Sequence, residues 1–280
     1  MTEIDSRRAR FRALHNLHDC FILPNAHDIG TARILEGLGF SAIATTSAGF
    51  AFTQGVRDGE GRIGRDSALA HAAEIVRATD LPVNADLENG YGHDPEDVAE
   101  TVRAALDCGL AGCSIEDASG DPSAPYYALD HAVARIEAAV AAKRAAPDFV
   151  LTARAEAPIR SRRDLDATIR RLAAYRDAGA DVVYALHLRD RAHIARVVAE
   201  VGRPVNVVTG AGEFPLTRAD LAALGVRRMS VGSGLARAAF GTFHDVAHRL
   251  KRTGRFSTGG RIERLTAFDD LLAPPRQPGS

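Results

Sequence analysis

Short apolar segments alternate with longer amphipathic segments along almost the whole chain, and this alternation restricts the possible folds more than any other feature of the sequence. The apolar segments have the length and the Val, Ile and Ala content of buried strands, whereas the longer segments repeat apolar residues at helical spacing. Strands that alternate with helices predict βαβ units and a parallel sheet. The eight predicted strands are 21–25, 41–46, 81–85, 112–117, 149–154, 181–186, 204–208 and 228–231.

Helices are predicted between most of these strands, with Asp66 as the N-cap of one helix and Pro95 in the first turn of another. The segment 47–65 is predicted to be a loop because it is rich in glycine, and a loop of that length inside a compact domain is usually functional. The predicted helices are 6–18, 28–38, 66–78, 95–108, 130–146, 163–178, 234–250 and 260–272.

The length of the chain fits one α/β domain of the (β/α)8 TIM-barrel class, which is the predicted fold. With 280 residues, of which 46% are hydrophobic, the chain can bury a large core. Residues 1–272 are predicted to form this single domain, and the polar, proline-rich residues 273–280 are predicted to be a disordered tail. A division into two domains is the alternative that the length allows.

The net charge and the cysteine content of the chain limit which partners it is expected to bind and in which cellular compartment it is expected to lie. Thirty-five basic and 36 acidic residues give a formal charge of −1, which argues against binding to nucleic acid or to an anionic membrane and favours a small-molecule partner. Cys20, Cys108 and Cys113 lack C-x-x-C spacing, which argues against a zinc site and suits a reducing compartment. No signal-type segment follows the charged N-terminus, and no apolar run approaches the roughly 20 residues of a membrane span. We therefore expect a cytoplasmic protein.

Acidic residues follow several of the predicted strands at the end where a TIM barrel carries its active site. Asp86 and Glu88 alternate with Leu87, so both carboxylates leave on one face if the strand continues through them. Carboxylates this close repel each other unless a cation lies between them, and oxygen ligands favour Mg²⁺ or Mn²⁺. The alternative is a surface turn with solvated acids. The residues expected at this end are Asp58, Asp86, Glu88, Glu116, Asp117, Arg154 and His187.

Several motifs of the chain, taken together, resemble those of the isocitrate lyase/phosphoenolpyruvate mutase superfamily. The longest is P-V-x-A-D-x-E-x-G-Y-G at residues 82–92. The others are T-T-S-A-G at 45–49, G-V-R-D at 55–58, S-I-E-D at 114–117 and T-A-R-x-E-A at 152–157. The likeness covers nearly the whole chain in the same order. The resemblance implies a TIM barrel of the phosphoenolpyruvate mutase type, in which subunits of a dimer or tetramer exchange their eighth helix.

The resemblance also implies an enzyme that binds Mg²⁺ or Mn²⁺ and a small 2-oxo acid, and it assigns roles to residues of this chain. Asp86 is the expected direct metal ligand, and Glu88 is expected to hold the metal through water, although many members carry Asp at that position. Asp58, Glu116 and Arg154 are the expected catalytic residues, with Asp58 and Glu116 also holding the metal through water. The residues expected to bind the substrate carboxylate are Ser47, Ala48, Gly49 and Arg154, with His187 at the rim.

The chain departs from the superfamily lyases in the segment after the fourth strand. Lyases that cleave isocitrate or methylisocitrate carry K-[KR]-C-G-H there, whereas residues 118–127 of this chain contain no Lys, Cys or His. We therefore expect a Mg²⁺-dependent carbon–carbon lyase that decarboxylates oxaloacetate or cleaves methylisocitrate-type substrates weakly. The alternatives are a phosphonopyruvate hydrolase or mutase, and a protein that binds 2-oxo acids with little turnover.

Overall fold

Eight parallel strands form a nearly closed barrel in the computed structural model, which describes residues 2–210, 212–258 and 272. Each strand pairs with its sequence neighbour from the second to the eighth, and the first pairs with the eighth. The first and second strands meet at a single bridge between Asn25 and Ala44, where the Ala44 N–H donates to Pro24 at 2.8 Å. The predicted TIM barrel is confirmed.

The eight strands fall within or next to the predicted segments, and most are shorter than predicted. Their ends are set by where the parallel ladder of hydrogen bonds stops, which sequence patterns locate poorly. The strands are β1 Phe21–Leu23, β2 Ile43–Ala44, β3 Val83–Asp86, β4 Gly112–Glu116, β5 Val150–Ala155, β6 Val182–Ala185, β7 Val205–Val208 and β8 Arg228–Ser230.

Ten helices are present in the described part of the chain, and three of them were not predicted. Those three are α3 (Ser47–Thr53), α8 (Arg191–Val201) and α9 (Arg218–Ala223). The predicted helix 260–272 and the predicted tail 273–280 lie outside the described residues, apart from Leu272. No described helix is both long and apolar enough to span a membrane. The helices are α1 Glu3–Asn16, α2 Ile29–Gly37, α3 Ser47–Thr53, α4 Arg65–Ala78, α5 Pro95–Asp107, α6 Leu129–Ala142, α7 Arg162–Asp177, α8 Arg191–Val201, α9 Arg218–Ala223 and α10 Gly234–Thr253.

The prediction that residues 47–65 form a loop is wrong for the first seven of them, because these build α3. Thr46 caps that helix by accepting a hydrogen bond from the Gly49 N–H at 3.2 Å, and Phe50 stacks on the His71 ring at 3.9 Å between centroids. The Asp66 cap is also wrong: Gly64 is the N-cap of α4, and Asp66 lies in its first turn. A helix of seven residues is too short to give a periodicity that can be recognised in the sequence.

The interior of the barrel is apolar at the N-terminal ends of the strands and polar further along them. Phe11 of α1 closes the apolar end, where it packs with residues such as Leu23, Val150 and Val182. Side chains alternate between the two faces of a strand, so Val150, Thr152 and Arg154 follow one another along the interior face of β5. This order places the apolar layer at one end of the barrel and Arg154 at the other.

A buried arginine with neutral partners occupies the middle of the barrel interior. Arg228 is 2% exposed and donates to Asn206 Oδ1 at 2.8 Å and to Thr152 Oγ1 at 2.9 Å. Its third neighbour is His15 Nε2 at 3.4 Å, while His15 Nδ1 bonds to the Phe11 carbonyl at 2.9 Å. Burial and the adjacent Arg228 lower the pKa of His15 to about 3. A second positive charge beside Arg228 would have no counterion, so the fold requires a neutral His15.

The stability of the fold should therefore fall as the pH falls through the range set by His15. The unfolded chain binds a proton at His15 below its ordinary pKa of 6.5, but the folded chain does so only near pH 3. Between these values this residue lowers the free energy of unfolding by about 1.4 kcal/mol per pH unit as the pH falls. Urea unfolding of wild type and His15→Gln at several pH values measures the difference, with His18→Gln as the exposed control. Equal pH slopes for wild type and His15→Gln would contradict the assignment.

Candidate active site

Arg154 lies at the centre of a group of acidic side chains where β3, β4 and β5 end. Its Nη1 atom is 3.2 Å from Glu116 Oε2 and 3.5 Å from Asp86 Oδ1, and its Nε atom donates to Glu156. The register of the sheet places Glu116 directly opposite Arg154. The side chains of Arg154, Asp86, Glu116 and Glu156 are 12–17% exposed, so the group is largely withdrawn from solvent.

One oxygen of Asp86 is well bonded and the other is not. Oδ2 accepts hydrogen bonds from the Ser47 N–H at 3.1 Å and from the Ser47 hydroxyl at 2.8 Å. Oδ1 is buried and has no hydrogen-bond partner in the described part of the chain, although Arg154 is near. A buried carboxylate oxygen without a donor is costly, so this atom is available to an additional positively charged partner.

The backbone that brings Glu88 to the acid group is not the continuing strand that the sequence predicted. The strand β3 ends at Asp86, and Glu88 adopts a φ of 47°, so the alternation of a continuing strand does not apply. Burial, together with the charges of Asp86 and Asp58, raises the pKa of Glu88 to about 7. Burial also raises the pKa of Glu116 well above its usual range, although Arg154 opposes this shift. Both shifts show that the acids lie close together in a poorly solvated site.

The other predicted site residues lie around this group at the same end of the barrel. Ser47, Ala48 and Gly49 form the first turn of α3, where the Ser47 and Gly49 N–H groups already bond to Asp86 and to Thr46. Asp58 has an exposed surface in the segment between α3 and α4, but the surrounding protein removes part of its hydration, and this loss together with the charge of Asp86 raises its pKa. His187 is likewise exposed in the turn after β6. Partial loss of hydration, together with the charges of Arg154 and two other arginines, lowers the pKa of His187.

Asp117 does not face the barrel mouth as predicted, and its side chain instead lies on the outer face of β4 against α7. One oxygen accepts from the Glu156 N–H at 2.8 Å, and the other from Tyr175 at 2.7 Å and from Arg171 at 3.1 Å. Arg171 of α7, which makes one of these contacts, has a side chain that is 18% exposed. Asp117 thus fixes the backbone of Glu156, the residue that bonds Arg154.

Glu156 and Tyr184 are the parts of the site that the sequence did not single out. The Arg154 guanidinium carbon lies 5.0 Å from the centre of the Tyr184 ring. Glu156 follows Arg154 by two positions, so an interior residue at the end of a strand could have been inferred from alternation. Tyr184 gave no such signal, because an aromatic residue inside a buried strand is ordinary core composition.

The donor atoms of the site suit a hard divalent cation. Carboxylate oxygens are the ligands that Mg²⁺ and Mn²⁺ prefer, and Asp86 Oδ1 is an unsatisfied oxygen of this kind. No three Asp, Glu, His or Cys side chains in residues 2–210, 212–258 and 272 already converge as a complete metal cage. A site with one direct protein ligand and surrounding carboxylates bonded through water satisfies both observations, because Mg²⁺ usually keeps several waters.

A cleft of about 720 Å³ opens beside the acid group. It reaches the group at Glu88 and Glu116, and its other walls come from the segments 59–65, 89–93 and 118–121. The last of these segments belongs to the loop that replaces the lyase motif. The loop is folded on itself, since Ala118 and Tyr126 form an antiparallel bridge and the Ser119 N–H donates to Pro125 at 3.0 Å. A small ligand can therefore reach the acids from solvent.

Comparison with known proteins gives consistent matches over most of the chain. A family model described as phosphoenolpyruvate phosphomutase matches residues 11–251. A solved structure of a candidate lyase/mutase from Burkholderia cenocepacia J2315 is 50% identical, with a TM-score of 0.92 over 98% of each chain. The 2-methylisocitrate lyase of Bacillus subtilis (strain 168) is 32% identical over 75% of this chain and 70% of its own length. The oxaloacetate decarboxylase of Chromohalobacter salexigens is 32% identical over 79% of this chain and 77% of its own length.

The raised pKa of Glu88 predicts how a Glu88→Gln substitution changes stability in EDTA. Between pH 4.5 and about 7 the folded state holds the Glu88 proton and the unfolded state releases it, so the wild type loses stability as the pH rises. The glutamine variant lacks this loss, and its melting temperature should exceed that of the wild type at pH 8 by more than at pH 5. Thermal unfolding in EDTA measures this, with the exposed Glu137→Gln as control. The same difference at both pH values would show that Glu88 has an ordinary pKa.

Proposed function

Because the chain belongs to the isocitrate lyase/phosphoenolpyruvate mutase superfamily of lyases and mutases, we propose that it is a divalent-metal-dependent carbon–carbon lyase acting on a small 2-oxo acid. The observation that carries the proposal is Asp86 Oδ1, a buried oxygen among other acids that accepts no hydrogen bond from the described residues. The relatives named above act on small carboxylates, as their names state. The acid group supports the proposal of a bound metal ion, and the volume of the cleft supports a ligand as small as these carboxylates.

Charge balance is the first reason to place a cation at Asp86. Among the described residues, Arg154 is the one guanidinium that forms ion pairs with Asp86, Glu116 and Glu156. In a cleft of low effective dielectric such an excess of acid is unfavourable, and Glu88 adds to it. Asp86 Oδ1 would bind Mg²⁺ or Mn²⁺ directly, and Glu88, Glu116 and Asp58 would hold it through water. A cation held there supplies positive charge to the keto oxygen of a 2-oxo acid as the adjacent bond breaks.

The chain's own groups then orient the substrate. Ser47 donates to Asp86 from the start of α3, so a ligand bound at Asp86 lies within reach of the first turn of that helix. The Ala48 N–H is suited to bind its carboxylate, and the Ser47 hydroxyl can do so only by giving up its hydrogen bond to Asp86, whereas the Gly49 N–H is already bonded to Thr46. Arg154 balances the negative charge of the bound anion, and His187 lies at the exposed rim. Together these contacts favour an anion with adjacent carboxylate and keto oxygens.

The β4–α6 loop favours decarboxylation over retro-aldol cleavage. Residues 118–127 contain no Lys, Cys or His. Cleavage of a 2-hydroxy tricarboxylate needs a base for the hydroxyl and an acid for the departing carbanion. Oxaloacetate loses CO₂ without either group, and water can protonate the resulting enolate. The runner-up is carbon–phosphorus chemistry on phosphonopyruvate, which the description of the matching family model favours.

We also propose that two copies of the chain exchange their last described helix. The helix α10 buries only Ala236, and it leaves Leu235, Phe240, Phe243 and Leu250 exposed, with Phe243 at 74%. A single protomer rarely leaves so many large apolar side chains of one helix in water. A homodimer or tetramer would cover them.

The proposal predicts a specific pattern of activity with Mg²⁺. The purified protein should decarboxylate oxaloacetate above the rate of the metal ion alone, and Asp86→Asn should return the rate to that background. Methylisocitrate should be cleaved at least about 10²-fold more slowly than by a lyase with the complete motif, because a missing general acid or base typically costs about 10²- to 10⁴-fold. Coupled assays of pyruvate release measure both reactions, with the exposed Asp66→Asn as control. Fast methylisocitrate cleavage without oxaloacetate turnover would contradict the proposal, and phosphonopyruvate turnover would favour the runner-up.

A further inference from the structure

The segment that follows β3 has an unusual backbone. Glu88 and Tyr91 adopt φ angles of 47° and 60°, and Gly90 between them has a φ of 83°. Left-handed conformations are unfavourable for residues other than glycine, so two of these three residues are strained. Such backbone persists only where surrounding contacts enforce it. The segment carries Glu88, whose carboxyl group lies in the acid group of the proposed metal site.

Arg135 of α6 supplies the most concentrated set of contacts to this segment. It is 1% exposed, and its guanidinium donates to the carbonyl oxygens of Asn89, Gly92 and His93, with a distance of 2.9 Å to Gly92. His131 of the same helix adds a bond from Nε2 to the His93 carbonyl at 2.8 Å. No carboxylate forms an ion pair with Arg135 among residues 2–210 and 212–258. The positively charged guanidinium of Arg135 therefore interacts with three backbone carbonyls of one short segment.

Tyr127 completes the arrangement from the β4–α6 loop. Its ring centre lies 4.3 Å from the Arg135 guanidinium carbon, a distance that gives a cation–π contact. Its hydroxyl bonds to Asn89 Nδ2 at 3.2 Å and to His93 Nδ1 at 2.8 Å. Its backbone is fixed as well, because its N–H donates to Asp117 and its carbonyl accepts from Arg171. Tyr127 thus joins the two loops that line the cleft.

We propose that Arg135 and Tyr127 form a clamp on residues 88–93 that imposes the left-handed conformations of Glu88 and Tyr91 and so sets where the Glu88 carboxylate lies relative to Asp86. Arg135 is then a positioning residue: it touches neither metal nor substrate and acts through Glu88. This inference rests on the proposed function for its ligand and goes beyond it. The reason is geometric, since the three carbonyls converge on one guanidinium and no neutral side chain can donate to all three. Without that donor the part-buried carbonyls of Asn89 and Gly92 lose their guanidinium partner, and the strained segment relaxes.

Arg8 provides a matched control for a purely structural role. It is 8% exposed, donates to the carbonyls of Leu106 and Leu110, and lies 5.9 Å from the Phe149 ring centre. Its burial, acceptors and aromatic contact resemble those of Arg135. It lies where α5 leads into β4, at the opposite end of the barrel from the acid group. Loss of Arg8 should therefore lower stability without moving Glu88.

The test compares full-length wild type, Arg135→Met, Arg135→Lys and Arg8→Met. Calorimetry measures the binding of oxalate in the presence of Mg²⁺, and hydrogen–deuterium exchange measures the protection of residues 88–93. We expect Arg135→Met to bind at least about 10-fold more weakly, because small misplacements in a site cost that much or more, and to exchange faster in this segment. Arg135→Lys should bind oxalate with an intermediate affinity, because lysine keeps the positive charge but lacks the planar set of N–H donors of a guanidinium. Arg8→Met should bind as wild type does at a lower melting temperature.

Two results would overturn the clamp. One is an Arg135→Met variant that binds oxalate as tightly as Arg8→Met does. The other is unchanged exchange of residues 88–93 in both Arg135 variants. If the wild type itself binds no oxalate with Mg²⁺, the proposed function fails instead, and the exchange measurement alone then decides on the clamp. If Arg135→Met does not fold, Arg135→Lys carries the comparison.

Discussion

The contact of one buried guanidinium with several carboxylates is the interaction on which the site depends. Arg154 is 16% exposed, and its ion pairs with Glu116 and Asp86 join the ends of β3, β4 and β5. Burial alone would lower the pKa of Arg154, but Tyr184, Glu116, Glu156 and Asp86 raise it well above its usual range. A charge held this firmly can offset part of the acid group and not all of it. A divalent cation would neutralise the remaining negative charge, and it would bind at Asp86 Oδ1, which accepts no hydrogen bond from the described residues.

The barrel prepares this site through the order of layers along its axis. Apolar side chains close the end near α1, Arg228 and its neutral hydrogen-bond partners follow, and the charged group around Arg154, largely withdrawn from solvent, lies at the other end. Each layer uses the same alternation along β5, from Val150 to Thr152 to Arg154. The outer face contributes as well, because Asp117 fixes the backbone of Glu156. The loops after β3 and β4 then shape the cleft, and Tyr127 holds them together.

Much of the fold was predictable because strand periodicity and chain length both point to the same barrel. The positions of Asp86, Glu116 and Arg154 followed from the apolar strands that precede them, which give the strongest pattern in the sequence. The environment of Glu88 did not follow, since its left-handed backbone depends on Arg135, a residue 47 positions later in the chain. Asp117 was misplaced for a related reason: whether a polar residue at a strand end faces inward depends on the helix that packs against that strand. Contacts between distant segments decide such cases, and a single sequence does not reveal them.

We infer that a divalent cation binds at Asp86 and that a 2-oxo acid binds beside it. The most direct test is a crystal structure of the protein with Mn²⁺ and oxalate, with the metal located by its anomalous scattering. The account predicts one anomalous peak within direct bonding distance of Asp86 Oδ1, with waters between the metal and Glu88 or Glu116 and with oxalate on the side of Ser47. A peak elsewhere on the chain, or oxalate bound in the cleft with no metal at Asp86, would contradict it.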